Sequence, residues 1–399
     1  MPPLRSQFAW ISGGRIVAAG AQAITLVIVA RSLGPADFGL LSTLLGLAVI
    51  PQVVCDLGIG TYVLHKRAIV ADSGSVTFAL RVNGWTSALA AAVFVGILAS
   101  VALVAGPVVF LAAPLALWVG AEKNADTWAN VLIADRDVVL STAQLVVRRV
   151  LAAGLTIGLL IAGIDAILAY SVAVAIAAVG SSVWARAIIR PRLAPIEPQP
   201  LSALIRETWP YWTHSVATQA RSLDAPITAA VAGVTQAGFY AAAGRLTNPL
   251  RILPTSLASV VLPHIARQGG HVSVETRRAI ALLMIAMSGL FVALAATAPL
   301  YIPWLLGDAF EDAVLPVQIV VTGLIFGSAA SILVSLHQAR GGQRYVSFAS
   351  IATSLYCVPA VFLGASMWGA VGAAIALSST FLLQSTLLLL RLRRRPNMT

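Results

Sequence analysis

The stretch "ARSLGPADFGLLS", residues 30–42, lies where one apolar run of the chain ends and the next begins. Glycine adopts positive φ and proline cannot continue a helix, so Gly34 and Pro35 are expected to end the first helix. Gly39 begins the second helix, where a missing side chain lets another backbone approach closely. The stretch therefore predicts two apolar helices joined by a tight bend.

Composition places these helices in a membrane. The 399-residue chain is 59% hydrophobic and 10% charged, with a mean hydropathy of +0.89, which is more apolar surface than one water-soluble core can bury. The apolar runs are continuous and do not alternate with period two, so we expect helices. We place twelve spans near 8–30, 38–63, 83–105, 108–134, 138–163, 165–188, 207–232, 238–265, 279–298, 314–337, 345–366 and 369–390. Charged residues interrupt the fourth, so that helix either carries its charges into the membrane or is short and tilted.

The bend is repeated later in the chain. "AAVAGVTQAGFYAAA", residues 229–243, carries Gly233 and Gly238, which follow Gly34 and Gly39 by 199 positions. Gly233 is expected to end the seventh helix and Gly238 to begin the eighth. Repeated halves with a substrate path between them are typical of transporters.

A proline-rich stretch separates the two halves. "RPRLAPIEPQP", residues 190–200, has four prolines and predicts a semi-rigid spacer. We therefore predict an N-terminal lobe over 1–189 with spans 1–6, a cytoplasmic linker over 190–206, and a C-terminal lobe over 207–399 with spans 7–12 and a basic tail.

The distribution of cations predicts the orientation. Eighteen of the 26 Lys and Arg lie in one set of alternating loops and termini, and the opposite set holds only Arg31. The positive-inside rule places the first set, and both termini, in the cytoplasm. The basic run at 391–396 adjoins a span, so membrane lipid and not nucleic acid is its expected partner.

Cys55 and Cys357 frame no disulfide scaffold or metal site, and the sequence shows no nucleophile with its base, so we expect no metal and no catalytic residues.

Seven cations remain once those of the loops and termini are counted: Arg15, Lys123, Arg148, Arg149, Arg221, Arg245 and Arg251. Each charge near mid-bilayer costs roughly 2.5–3.5 kcal/mol, so together they would cost on the order of 20 kcal/mol against lipid. They are expected to face one another, carboxylates or a water-filled cavity. Adjacent residues diverge by about 100° on a helix, so we expect that Arg148 and Arg149 do not line one cavity and that one of them extends to the cytoplasmic face.

Helical spacing groups polar residues with the arginines. A stripe on span 7 contains His214, Thr218, Arg221, Asp224 and Thr228, a face of span 1 contains Ser12, Arg15 and Gln22, and one side of span 8 contains Tyr240, Thr247, Arg251 and Pro254 beside Arg245 and Asn248. With this orientation, Arg15 lies in the inner third of the bilayer, Arg221 and Arg251 near its middle, and Arg245 about 10 Å from its outer end.

Guanidinium groups suit a phosphate, because the planar fork pairs with two oxygens and keeps its charge. A cationic path therefore predicts an anionic substrate, with pyrophosphate as the candidate. The predicted binding residues are Arg15, Arg148, Arg221, Arg245 and Arg251, with Gln22, His214, Thr218 and Asn248 as polar lining. The alternative is a buried, structural ion pair between Arg221 and Asp224 with no ligand.

Four stretches resemble the polysaccharide transporter family, the O-antigen flippase branch of the multidrug/oligosaccharidyl-lipid/polysaccharide exporter superfamily. They are "ARSLGPADFGLLS" at 30–42, "CDLGIGTYVLHKRA" at 55–68, "GFYAAAGRLTNPLRILPTSLASVVLPHIAR" at 238–267 and "LLGDAFEDAVLPVQIV" at 305–320. The resemblance implies an all-α membrane protein with two six-helix bundles, which form a V that opens alternately to each side.

The resemblance also implies a task. The family moves undecaprenyl-pyrophosphate-linked oligosaccharides, O-antigen or exopolysaccharide repeat units, from the cytoplasmic to the outer leaflet of the bacterial inner membrane. Arg15, Arg221 and Arg251 look similar in role to the arginines in the central cationic cavity of related lipid II flippases. That branch has two further spans, so a peptidoglycan precursor is disfavoured. Other polysaccharide assembly proteins are candidate partners.

The expected mechanism is alternating access without a cofactor. Asp224, Glu122 and Asp126 are candidates to bind a coupling proton or sodium ion. Two other functions remain open: a drug or metabolite exporter of the same superfamily, whose cavity should be more acidic, and a membrane-embedded polysaccharide polymerase or glycosyltransferase. The absence of a large outer loop and of a catalytic carboxylate cluster argues against the enzyme.

Overall fold

The computed structural model describes residues 4–70, 74–254, 274–340 and 342–394, which form helices and turns without any strand. The helices are α1 (Leu4–Val54), α2 (Ile59–Ile69), α3 (Gly74–Ala105), α4 (Leu115–Ala134), α5 (Val138–Ile161), α6 (Ala166–Ile189), α7 (Leu201–Gln219), α8 (Asp224–Ala232), α9 (Val234–Thr247), α10 (Val274–Leu306), α11 (Val314–Ala339) and α12 (Gln343–Arg394). Eight helical stretches in this part of the chain are long and apolar enough to cross a membrane. The predicted all-α membrane fold is confirmed.

Two of these stretches are long enough to hold two spans each. They cover 42 residues, Gly13–Val54, and 50 residues, Gln343–Leu392, whereas one crossing needs roughly 20 residues. Each is bent at a glycine with positive φ, which is 72° at Gly34 and 57° at Gly369. The bends separate the predicted first and second spans and the predicted eleventh and twelfth.

The glycine bends repeat along the chain. Gly34 and Gly233 have φ of 72° and 90° with ψ of 176° and 161°, so the predicted repeated bend is confirmed. Two further pairs with positive φ were missed in the sequence: Gly106 and Gly307, at 83° and 97°, and Gly163 and Gly369, at 79° and 57°. Their separations, 201 and 206 positions, are close to the 199 of the first pair. Three turns of the first half therefore recur in the second.

The chain divides into two compact units. The N-terminal unit contains Met1–Ser32 and Leu44–Gln219, and the C-terminal unit contains Leu33–Thr43 and Ala220–Thr399. Helix α7 thus packs within the N-terminal unit, and the boundary follows Gln219. The lobe limits at 190–206 stay a prediction.

The proline-rich stretch is held against the N-terminal unit. The Thr77 hydroxyl donates to the Ala194 carbonyl over 2.8 Å, and Arg67 donates to the Arg192 carbonyl over 3.2 Å. Arg192 also pairs with Asp137 at 3.1 Å. The first part of the stretch is therefore docked beside the start of α3.

The two helices that follow the repeated bends approach each other closely at Gly39 and Gly238. Within the C-terminal unit, a Cβ added at Gly39 would collide with the Val234 carbonyl, and one added at Gly238 would collide with the Pro35 carbonyl. Both obstacles are backbone atoms, which cannot rotate away. The expected close approach at Gly39 and Gly238 is confirmed.

Leucine at Gly39 should destabilise the protein by about 1–3 kcal/mol or more, because the backbones must separate to admit the side chain. Thermal unfolding of the purified protein in detergent measures this effect. Gly96→Leu is the matched control, since a Cβ there meets nothing within 4 Å. Equal unfolding midpoints for the two variants would contradict a packing role for Gly39.

Candidate substrate-binding cavities

A cavity of about 320 Å³ lies in the N-terminal unit. Its charged lining residues are Arg15, Asp126 and Arg148, and its polar ones are Asn130, Ser141, Thr142 and Gln144. Helix α1 approaches α5 closely beside this cavity, because a Cβ on Gly14 would collide with the Thr142 side chain. The neighbouring Arg15 therefore lies at the wall of the cavity.

The buried charges of this unit neutralise one another. Arg148 is 5% exposed, and its Nη2 donates to Asp126 Oδ1 over 2.7 Å, while Nη1 lies 3.5 Å from Glu122 Oε2. Arg149 Nη2 donates to Glu122 Oε1 over 2.7 Å. The expectation that the two arginines do not line one cavity is confirmed, since only Arg148 is among the described lining residues. The extension of one of them to the cytoplasmic face stays a prediction. Long arginine stems nevertheless let both guanidinium groups reach Glu122.

Helix α4 carries its charges within a candidate span. Lys123 pairs with the buried Asp56 at 3.4 Å, and Glu122 and Asp126 pair with arginines of α5. The charges of this helix are therefore compensated by ion pairs, and the choice between the two alternatives for the fourth span stays a prediction. Both candidate coupling carboxylates on α4 are already ion-paired.

A second cavity, of about 390 Å³, lies in the C-terminal unit. Arg221 and Arg251 line it together with Ser328, Ser331, Ser335, Gln338, Phe381 and Gln384. Among the described residues that line this cavity, none carries a carboxylate. The cavity is therefore cationic and rich in hydroxyl and amide groups.

Neutral groups hold Arg221 in place. Its Nε donates to Ser354 Oγ over 2.9 Å, and its Nη2 donates to Thr353 Oγ1 over 2.6 Å and to the Ser350 carbonyl over 3.3 Å. No ion pair within the described part of the chain joins Arg221 to Asp224, so the alternative of a structural pair between them was wrong. These bonds orient the guanidinium group and leave its charge uncompensated.

Asp224 is held by a different partner. Its Oδ2 accepts a hydrogen bond from the Tyr240 hydroxyl over 2.7 Å, and its Oδ1 accepts one from the Ala225 amide over 2.7 Å. Arg245 and Arg251 lie near enough to act on it electrostatically. Asp224 is therefore fixed by α9 and not by the arginine three residues before it.

Arg251 lies over an aromatic ring. It follows α9 in a short 3-10 turn, Pro249–Arg251, and its Cζ is 5.2 Å from the centre of the Phe381 ring. A cation over an aromatic face is stabilised without losing its charge. The Phe381 ring therefore helps to hold the guanidinium group at the wall of the cavity.

The predicted stripe on span 7 is interrupted. A 3-10 turn, Ala220–Leu223, separates α7 from α8, because Pro226 has no amide hydrogen for the Ser222 carbonyl and its ring crowds that carbonyl. His214 and Thr218 lie on α7 in the N-terminal unit, whereas Arg221 and Asp224 lie in the C-terminal unit. One continuous polar face is therefore not formed.

The remaining predicted residues lie outside both cavities. Gln22, His214, Thr218, Arg245 and Asn248 line neither of them. Thr218 instead bonds to the His214 carbonyl of its own helix, and Gln22 and Arg245 are half-buried. The end of predicted span 8, from residue 255, lies outside the described residues.

The sequence analysis missed the partners of Arg221 and Asp224. Ser350, Thr353 and Ser354 recur at three to four residues in an otherwise apolar span, and that spacing could have revealed a polar face on α12. Tyr240 was placed on a stripe, but its contact with Asp224 crosses the Gly233 bend. Helical periodicity does not reveal such a contact.

Comparison with known proteins gives one matching family and several solved structures with a similar fold. A family model described as "Polysaccharide biosynthesis protein" matches residues 4–268, and comparison with curated proteins gives no match. A lipid II flippase MurJ in an inward closed conformation has a TM-score of 0.70 at 12% identity, covering 96% of this chain and 87% of its own. An inward-facing multidrug resistance MATE family transporter of the MOP superfamily has a TM-score of 0.65 at 15% identity, covering 94% of both chains. A MOP superfamily transporter from Pyrococcus furiosus has a TM-score of 0.66 at 14% identity, covering 98% of this chain and 95% of its own.

Proposed function

The chain belongs to the polysaccharide biosynthesis protein family, and from this premise we propose that it is a flippase. It moves an undecaprenyl-pyrophosphate-linked oligosaccharide, an O-antigen or exopolysaccharide repeat unit, from the cytoplasmic to the outer leaflet of the bacterial inner membrane. The observation that carries the proposal is the C-terminal cavity with Arg221 and Arg251 and no carboxylate among its described lining residues. The solved lipid II flippase with this fold supports a lipid-linked substrate.

The cavity has the chemistry of a pyrophosphate site. Arg221 is oriented by three neutral acceptors, so its positive charge is left for a ligand. Planar guanidinium forks bind phosphate oxygens in pairs. Serine hydroxyls and glutamine amides in the same cavity can bond to a sugar.

The two cavities differ in net charge. In the N-terminal unit, Arg148 is compensated by Glu122 and Asp126, so Arg15 is the candidate contact for an anion there. In the C-terminal unit, Arg221 is held by neutral groups, and no described lining residue carries a carboxylate. We assign the pyrophosphate to Arg221 and Arg251, and keep Arg15 as a second contact during translocation.

Alternating access gives the sequence of events. The headgroup enters the cationic cavity from the cytoplasm, where both termini lie, while the lipid tail stays in the bilayer. A conformational change then opens the cavity to the outside. A drug exporter of the same superfamily is the second candidate, but cationic drugs would need an acidic cavity.

Coupling to an ion gradient belongs to the same proposal. Asp224 is the candidate carboxylate, because it is buried with Tyr240 and has no ion pair among the described residues. Transport into vesicles should respond to an imposed proton or sodium gradient, and Asp224→Asn should abolish that response. Transport indifferent to both gradients would contradict coupling and leave the substrate assignment intact.

A deletion strain tests the function itself. Loss of the protein should cause lipid-linked oligosaccharide to accumulate on the cytoplasmic leaflet, and expression from a plasmid should restore export. Altered polymer length without accumulation would indicate a polymerase. Drug sensitivity without accumulation would indicate an exporter.

A further inference from the structure

A third cavity lies at the end of the N-terminal unit where the proline-rich stretch docks. It has a volume of about 330 Å³ and lies between α3, α4, α6 and that stretch. Arg81 lines it from near the start of α3, Arg186 and Arg190 from the end of α6, and Trp128 from the last two turns of α4. Three cations therefore meet at one end of three membrane helices.

These charges are oriented but not neutralised. Arg186 donates through Nε and Nη2 to the neutral Asn124 Oδ1, over 3.0 and 2.8 Å, and its Cζ lies 5.9 Å from the centre of the Trp128 ring. In the described ranges of the chain, Arg81, Arg186 and Arg190 form no ion pair. The two bonds fix the Arg186 side chain and leave its charge toward the cavity.

Trp128 adds an aromatic side chain to the lining of the cavity. The Trp128 Nε1 is buried and has no partner among the described residues. The Trp128 ring lies beside the Arg186 guanidinium group, with 5.9 Å from Cζ to the ring centre. The described residues that line the cavity include no carboxylate. Three guanidinium groups at a cavity without a described carboxylate call for an anion with several oxygens.

We infer that this cavity binds the phosphate of an anionic membrane lipid. Basic pockets between helices on the cytoplasmic side suit lipid headgroups, and tryptophan is enriched at the depth of those headgroups. The cation distribution places this end of the helices at the cytoplasmic face. A bound headgroup would contact both α3 and α6 beside the docked stretch, and so would hold that stretch in place.

Phosphatidylglycerol retention measured by native mass spectrometry tests the inference. The variant Arg81→Gln/Arg186→Gln/Arg190→Gln should bind this lipid about 100-fold more weakly, about five-fold for each arginine. The control Arg277→Gln/Arg278→Gln/Arg344→Gln removes three exposed cations elsewhere and should retain the affinity of the wild type. Equal losses in both variants would overturn the site, because the affinity would then follow from total charge.

Two milder variants test the same site in case the triple variant does not fold. Arg81→Gln/Arg190→Gln keeps the bonds of Arg186 to Asn124 and should weaken binding about 25-fold. Trp128→Phe replaces the indole beside Arg186 with a smaller ring and should weaken binding about 2- to 5-fold. If neither changes lipid retention, the inference is wrong. Inorganic phosphate is the second probe: if it binds as tightly as phosphatidylglycerol, the cavity is a site for a free anion and not for a lipid. None of these readouts depends on transport.

Discussion

Arg221→Gln should reduce the rate of pyrophosphate-linked oligosaccharide transport by about 10- to 150-fold. The change removes a charged hydrogen-bond donor to the substrate, and such bonds contribute about 1.5–3 kcal/mol. The transport rate of Arg221→Lys should lie between those of the wild type and Arg221→Gln, because lysine keeps the charge and loses the bidentate fork. Transport of a fluorescently labelled lipid-linked oligosaccharide in proteoliposomes measures the three rates.

Two controls separate substrate binding from packing. Ser354→Ala removes one neutral partner of Arg221 and keeps the charge, so its transport should stay within a few-fold of wild type. Arg277→Gln removes an exposed cation outside the cavity and should have no effect. If Ser354→Ala lowers transport as far as Arg221→Gln does, Arg221 has a structural role and the cationic site is refuted.

Glu122→Gln should lower the free energy of unfolding by about 3–5 kcal/mol, because it leaves buried arginine charge uncompensated. The Glu122 carboxylate pairs with both Arg148 and Arg149. In the variant, Arg148 would still pair with Asp126, whereas Arg149 would lose its carboxylate partner. Denaturant titration of the purified protein in detergent measures the loss. The double variant Glu122→Gln/Arg149→Gln should recover part of it, because it removes the arginine that has lost its carboxylate.

The matched control is a pair at the surface of the same unit. Lys66 and Glu207 lie 3.5 Å apart with side chains 35% and 45% exposed, so Glu207→Gln should cost about 0–1 kcal/mol. Similar losses for Glu122→Gln and Glu207→Gln would show that the buried network has no special role in stability.

Local features were predictable from the sequence. Glycine ends a helix by adopting positive φ, and Pro35 adds to this effect after Gly34, so the bend at Gly34 and its repeat at Gly233 could be identified directly. The apolar runs likewise defined the spans, because length and hydropathy determine a membrane crossing. The bends at Gly106 and Gly163 recur at separations of 201 and 206 residues, so a search at the fixed offset of 199 would have missed them.

Contacts between elements were less predictable. The angle between adjacent helical residues predicted that Arg148 and Arg149 point in different directions. Their side chains are nevertheless long enough for both to reach Glu122. Spacing linked Arg221 to Asp224, yet Pro226 and the 3-10 turn before it change the periodicity at that point. The true partners, Tyr240 for Asp224 and the serine and threonine side chains of α12 for Arg221, come from other helices, and one sequence does not show which helices pack together.

The most direct test compares two substrates in the same proteoliposomes. One is an undecaprenyl-pyrophosphate-linked oligosaccharide, and the other is a neutral glycolipid with the same glycan and tail but no phosphate. A cavity built on Arg221 and Arg251 predicts that the first crosses the bilayer at least about 100-fold faster, since two charged contacts are lost in the second. Equal rates for the two lipids would contradict recognition of the pyrophosphate.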